Sequence, residues 1–305
     1  MRKRQLGTSG IYVSEMTLGC MSLGTELSKA TDMIDTALDA GINHLDTADL
    51  YDFGRNEEIV GKAIQDKRDQ VILTSKVGNH FNREQQDWFW DPSKHHIKNG
   101  LKESLRRLHT DYIDFYMLHG GTIDDPIDES IEAFEELKKE GLIRAYGISS
   151  IRPNVIREYV RRADIDAVMM QYNLLDRRPE EEILDLLHSN SISVLARGPL
   201  AKGILTDQST EKIEEKANKG YLDYSYEELR EIQELLKNTL PGSLPIQEAA
   251  FNYILKHPAV ASVVFGASSK EQIMKNITLE ISELPKDIYT RLQEITKPVE
   301  YTNHR

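Results

Sequence analysis

His44-Leu45-Asp46-Thr47-Ala48-Asp49-Leu50-Tyr51 reads as a short buried strand that ends by delivering Asp46, with Tyr51 on the turn beyond. It follows a helical run at 31–40 and the punctuating Gly41. Two later stretches share its character. Val71-Ile72-Leu73-Thr74-Ser75-Lys76 and Phe115-Tyr116-Met117-Leu118-His119 are apolar strands that close on an ammonium and an imidazole. A carboxylate, a phenol, an ammonium and an imidazole therefore stand at or just past apolar strand ends.

Outward from these ends, the rest of the chain repeats one unit. Strands are predicted at 16–19, up to Asp46, and at 71–75, 112–118, 144–149, 167–171, 193–196 and 260–265. Helices are predicted at 31–40, 56–66, 93–108, 129–140, 153–162, 179–189, 246–256 and 270–276. Strands that alternate with helices imply parallel pairing, and eight such units suit a closed (β/α)8 barrel. A doubly wound open sheet is the alternative, but its Gly-rich turn after the first strand is missing. Gly7-Thr8-Ser9-Gly10 precedes that strand instead. The expected architecture is one domain over residues 1–305, with an N-terminal β-hairpin and a C-terminal helical and tail extension. Long connections at 77–92 and 198–224 would lie on the active-site face, where such loops cover ligands. Residues 207–219 are charge-rich and read as a mobile connection.

Composition narrows the function. The 305 residues are 39% hydrophobic and 29% charged, enough to bury a core and remain soluble. No apolar run approaches the ~20 residues that span a bilayer. Met1-Arg2-Lys3-Arg4 is basic, but no apolar run follows it, so no secretory signal is expected. The one cysteine, Cys20, fits a reducing cytoplasm. A net charge of −12 argues against nucleic acid or an anionic membrane as partner. Oligomeric state is not legible.

In a barrel, side chains at the C-terminal strand ends converge on one mouth. A lone Asp, Lys or His there is ordinarily a surface or ion-pair residue, but Lys and Asp are rarely buried unpaired. Four such groups near consecutive strand ends point to chemistry. A free phenol titrates near ~10 and is a poor acid at neutral pH. A buried ammonium beside it favours the phenolate and eases proton donation. Asp46 would hold Lys76 charged and in place, and His119 would orient a carbonyl oxygen or relay the proton. Such an arrangement calls for a hydride donor opposite.

These motifs resemble the aldo-keto reductases. The resemblance rests on Asp46-Thr47-Ala48-Asp49-Leu50-Tyr51 with Gly54 and Glu57 behind it, on Thr74-Ser75-Lys76, and on Leu118-His119. Gly147-Ile148-Ser149, Gln171-Tyr172-Asn173 and Gly198-Pro199-Leu200 with Gly203 extend it over about residues 4–280. It implies that Asp46, Tyr51, Lys76 and His119 form the catalytic tetrad, with Tyr51 as general acid. Hydride would pass from NADPH, or less often NADH, to a small aldehyde or ketone.

The resemblance also implies a cofactor site. Ser149 and Gln171 would hydrogen-bond the nicotinamide carboxamide, although Ser150 stands where many members have Asn. Pro199, Leu200 and Lys202 belong to a segment whose backbone N–H groups would meet the pyrophosphate, with Gly198 and Gly203 giving it freedom. Gly266, Ser268, Gln272, Lys275 and Asn276 resemble the adenosine-phosphate site at a helix N-terminus. Many members have a basic residue at the position of Ser268 and Arg at that of Gln272, so only Lys270 and Lys275 supply charge nearby. Arg197 replaces an aromatic that stacks on the nicotinamide, and a guanidinium also stacks. Its charge would disfavour the cationic oxidised ring.

Weaker signals remain. Met21 is expected to line both cofactor and substrate pockets, and Trp88 and Trp90 the substrate pocket, with Phe89 on the same loop. His95 and His96 are adjacent on a predicted helix and face different ways, and His44 with Asp46 lacks a second His pair. No metal site is therefore expected, and a metal-dependent hydrolase is the weakest reading. The Glu180-Glu181-Glu182 run reads as a first helical turn favoured by the dipole. The main competitor is a nicotinamide-binding regulatory subunit with little turnover, because the β subunits of voltage-gated potassium channels resemble the same family.

Overall fold

The computed structural model describes residues 1–207 and 209–305. An antiparallel pair, β1 (Lys3–Gln5) and β2 (Tyr12–Ser14), opens the chain, as the glycine-rich start predicts. Three parallel strands follow: β3 (Met16–Gly19), β4 (His44–Asp46) and β5 (Ile72–Val77). A second antiparallel hairpin, β6 (Asn79–Asn82) and β7 (Asp87–Trp90), then interrupts them. The parallel run resumes with β8 (Ile113–Leu118), β9 (Ile143–Ser149), β10 (Ala167–Gln171), β11 (Ser193–Arg197) and β12 (Val260–Gly266). β12 pairs back onto β3, so eight strands close a parallel barrel in sequence order.

Helices cover it outside. α1 (Leu27–Asp39), α2 (Arg55–Ile64), α3 (Lys94–Leu108), α4 (Ile127–Lys139), α5 (Pro153–Arg162) and α6 (Ile183–Ser189) lie between successive barrel strands. Between β11 and β12 come α7 (Ser209–Lys216), α8 (Tyr226–Thr239) and α9 (Ile246–Leu255), and after β12 come α10 (Lys270–Ile277) and α11 (Lys286–Ile295). The architecture is the expected (β/α)8 barrel. Among the described residues, no helix is long and apolar enough to cross a membrane.

Two apolar clusters hold this arrangement. The larger lies between strands and helices; α4, for example, buries Ala133, Phe134 and Leu137 on one stripe. Phe134 and Leu137 are each worth ~1.5–3 kcal/mol when fully buried, and the Ala133 methyl less. The smaller fills the barrel and contains Leu6, Ile11 and Val13 of the opening hairpin beside Phe115, Met117, Ala145, Ala167 and Leu195. The hairpin thus seals the end where the strands begin. Its turn passes so close to β10 that a Cβ on Gly7 would lie 2.2 Å from the Asp166 carbonyl oxygen. The other end stays open.

Several expectations are corrected. The 77–92 connection is not irregular, because aromatics at Phe81, Trp88 and Trp90 favour the β6–β7 pairing. The 207–219 connection contains α7, although residue 208 lies outside the described residues. α8 begins at a reciprocal capping box in which Ser225 accepts from the Glu228 N–H and Glu228 from the Ser225 N–H. The predicted helix at 179–189 splits into a 3-10 turn at Arg178–Glu181 and α6. Tertiary partners claim its glutamates: Glu180 accepts from the Tyr172 and Tyr253 hydroxyls, Glu181 pairs with Arg305, and Glu182 with Arg157.

Candidate active site

Register brings the tetrad together. β4 pairs with β5 so that Asp46 lies opposite Thr74, and β5 pairs with β8 so that Lys76 lies opposite Met117. Lys76 Nζ contacts the two Asp46 oxygens at 2.8 and 2.9 Å, donates to the Thr47 carbonyl at 2.8 Å, and donates to the Tyr51 hydroxyl oxygen at 3.2 Å. Burial acts to lower the Lys76 pKa, but the Asp46 carboxylate and the Tyr51 phenol outweigh it and leave the value raised. Lys76 is an ammonium. The ring of His119 meets the ring of Tyr51 edge-on at 5.8 Å. Burial, then Lys76 and Arg197, push the His119 pKa down to about 3, so its imidazole is neutral at neutral pH.

The wall behind is polar and buried. Thr47 Oγ1 donates to Asn56 Oδ1 at 2.6 Å, and Asn56 Nδ2 donates to the Cys20 carbonyl at 2.8 Å. Ser75 Oγ donates to one Glu57 oxygen and Arg107 Nε to the other. The Asp49 N–H donates to the Lys76 carbonyl at 3.2 Å. The turn carrying Tyr51 continues through Asp52 and Phe53, both left-handed, into Gly54 at φ +84°. A Cβ on Gly54 would also come within 2.9 Å of Arg107 Cδ, so sterics and backbone both require glycine there.

Asp46, Tyr51, Lys76 and His119 all line one cavity of about 810 Å³ at the open end. Met21, Ser149, Arg197, Trp88 and Trp90 line it too. Trp90 is fixed: its Nε1 donates to the Asp125 carboxylate at 3.0 Å, and its ring lies where a Cβ on Gly78 would fall. Trp88 is exposed. Gln171 lies outside the described lining. Its Nε2 donates to Asp176 and Tyr221, and its Oε1 accepts from Arg197 at 3.2 Å.

A second cavity of about 580 Å³ adjoins the first, sharing Met21, Ser22, Gly198, Val264 and Gly266. Pro199, Leu200, Lys202, Ser268, Gln272, Lys275 and Asn276 line it as expected positions. Gln272 Oε1 accepts from both the N–H and the hydroxyl of Ser268. Sequence reading missed Lys212 and Lys216, which α7 brings to this cavity. Their four-residue spacing put them on one helical face, but no helix was predicted to carry them. With Lys202 and Lys275 they make four lysines, and no carboxylate is among the described lining residues. In a chain of net charge −12, that local set suits a polyanion. It fits the phosphates of a dinucleotide, and the cavity ends at the N-terminus of α10.

Comparison with known proteins points to one family. The Aldo/keto reductase family model matches residues 15–297. An uncharacterized oxidoreductase of Bacillus subtilis, YqkF, is 54% identical over the whole of both chains. The NADH-specific methylglyoxal reductase of Escherichia coli is 32% identical over 98% of this chain and 100% of its own. The holo form of aldo-keto reductase AKR11C1 from Bacillus halodurans superposes with a TM-score of 0.94 at 52% identity, covering 100% of this chain and 99% of that one.

Proposed function

The chain belongs to the aldo/keto reductase family, and on that premise we propose that it reduces a small aldehyde or ketone to the alcohol with NADPH. The observation that carries the reading is the contact of Lys76 with both Asp46 and Tyr51 at the floor of a cavity that opens into a lysine-lined one. A bound reduced nicotinamide supplies the hydride. Tyr51 donates a proton to the carbonyl oxygen as negative charge develops there, and Lys76 stabilises the phenolate left behind. Asp46 keeps Lys76 charged and aimed. His119, neutral, orients the carbonyl oxygen through a hydrogen bond. Ser149 lines the same cavity and would hold the carboxamide.

NADPH is favoured over NADH by charge. Ser268 and Gln272 bring none, but Lys212, Lys216 and Lys275 surround the same cavity. The methylglyoxal reductase named as NADH-specific is a relative at 32% identity, so the preference is a point to measure. A cytoplasmic location fits the single, buried Cys20.

Fluorescence titration with NADPH and NADH, followed by absorbance decay with a panel of aldehydes, tests the reading. Tighter NADPH binding with aldehyde-dependent oxidation is expected. Tight binding without turnover on any carbonyl would favour a regulatory subunit, and failure to bind either nucleotide would overturn the proposal.

A further inference from the structure

His80, Asp91 and His96 form a cluster outside the tetrad. His80 is on β6, Asp91 directly follows β7, and His96 lies in the first turn of α3. We propose that these three side chains bind a divalent transition ion of the zinc type, which fastens the β6–β7 hairpin to α3. Their ligand atoms all lie within 4.8 Å of one another, and His80 Nδ1 is 3.4 Å from Asp91 Oδ2. The rings of His80 and His96 stack 4.7 Å apart at 9°, and Phe89 stacks on His80 at 4.8 Å.

A second observation points to a ligand. His96 Nε2 is buried and has no hydrogen-bond partner among the described residues. A buried nitrogen without a partner is costly, and a metal bond would satisfy it. Zinc bonds to imidazole nitrogen and carboxylate oxygen are about 2.0–2.2 Å long, so tetrahedral donors sit roughly 3.5 Å apart. In the stack the in-plane nitrogens of the two rings do not converge, so binding requires the exposed His80 side chain to rotate out of its contacts with His96 and Phe89. Two imidazoles and one carboxylate suit zinc and leave a position for water. The neighbouring His95 takes no part, since its Nε2 meets Asn99.

The ion would act on the substrate end of the site. Trp88 and Trp90 belong to the fastened hairpin and line the tetrad cavity, so binding would rigidify that wall. The proposal does not rest on the reductase reading.

The test is calorimetric titration of the chelator-treated full chain with Zn²⁺, with tryptophan fluorescence as a second readout. The two tryptophans of the chain both lie on β7, so fluorescence reports on this hairpin. One ion per chain is expected, together with a fluorescence change. His80→Phe, which keeps the ring stack, should weaken binding at least tenfold, and so should Asp91→Asn. Absence of stoichiometric binding in the wild type would overturn the proposal. Unchanged affinity in both variants would do so as well, by placing the ion elsewhere.

Discussion

Lys76 and Lys212 both face the cavities, and they are held in opposite ways. Lys76 is fully buried among Asp46, the Thr47 carbonyl and Tyr51, with Glu57 and Arg107 fixing the strand behind it. Lys212 sits on α7 with a third of its side chain exposed, paired at 2.7 Å with Glu215 one turn away. A buried ion pair carries a large desolvation cost and survives only with good geometry and extra hydrogen bonds. An exposed pair costs little and contributes ~0–1 kcal/mol. The buried lysine can therefore fix one geometry for chemistry, whereas the exposed one can supply only charge. The wall should be intolerant of change and the α7 lysines replaceable.

The largest effect is expected at the wall. Tyr51→Phe should lower kcat by ~10²–10⁴, the usual worth of a general acid. Its NADPH dissociation constant should stay near that of the wild type. A near wild-type rate would remove Tyr51 from its role and leave the wall merely structural.

Lys76→Met sharpens the comparison by separating chemistry from stability. It strands the Asp46 carboxylate in a buried site and should cost ~3–5 kcal/mol in urea unfolding. Adding Asp46→Asn should recover much of that stability without recovering turnover. Lys212→Met should not move the unfolding midpoint.

Acid reveals the same contrast. Burial pushes the pKa values of His44 and His119 down to about 3 from an unfolded value of ~6.5. Between those limits the unfolded chain binds more protons, so stability falls as pH falls. At pH 5 each imidazole should cost ~2 kcal/mol relative to neutral pH. Urea midpoints measured from pH 7 to pH 5 check the sign. A flat profile would mean that these rings are solvated.

At the α7 lysines the effects should be smaller. Lys212→Ala combined with Lys216→Ala should weaken NADPH about tenfold and NADH less than about twofold, in line with ~0.2–1 kcal/mol for each exposed charge contact. The loss should shrink at high salt. Equal losses for the two nucleotides would place these lysines at the pyrophosphate. The smallest change is expected for Arg197→Tyr, which should raise the affinity for the oxidised cofactor a few-fold relative to the reduced one. An unchanged ratio of the two dissociation constants would sink the role of its charge.

The buried half of the site was legible in the sequence and the exposed half was not. Asp46, Lys76 and His119 end apolar runs, and a charge at the end of a buried strand needs a reason that residue type alone conveys. Parallel register did the rest, because adjacent strand ends cannot be far apart. α7 gave no comparable signal: Ser209–Lys216 carries a single large apolar residue, Ile213, among five charged ones, so periodicity could not separate a helix from a linker. α8 was legible in principle through Ser225 and Glu228, a spacing that sequence reading passed over. Glu180 shows the limit of local rules, since the helix dipole favours it at an N-terminus but two distant phenols hold it. His80 and His96 meet only through the β6–β7 pairing, which no one-dimensional spacing encodes.

The opening hairpin bears on traffic. With Leu6, Ile11 and Val13 plugging the start of the barrel, the strands enclose a blind alley with its entrance at the tetrad end. Carbonyl compound and alcohol must use the same doorway, and no product can be pushed through to the rear. The adjoining lysine-lined chamber borders that alley at Met21 and Gly198, on the same side as the entrance.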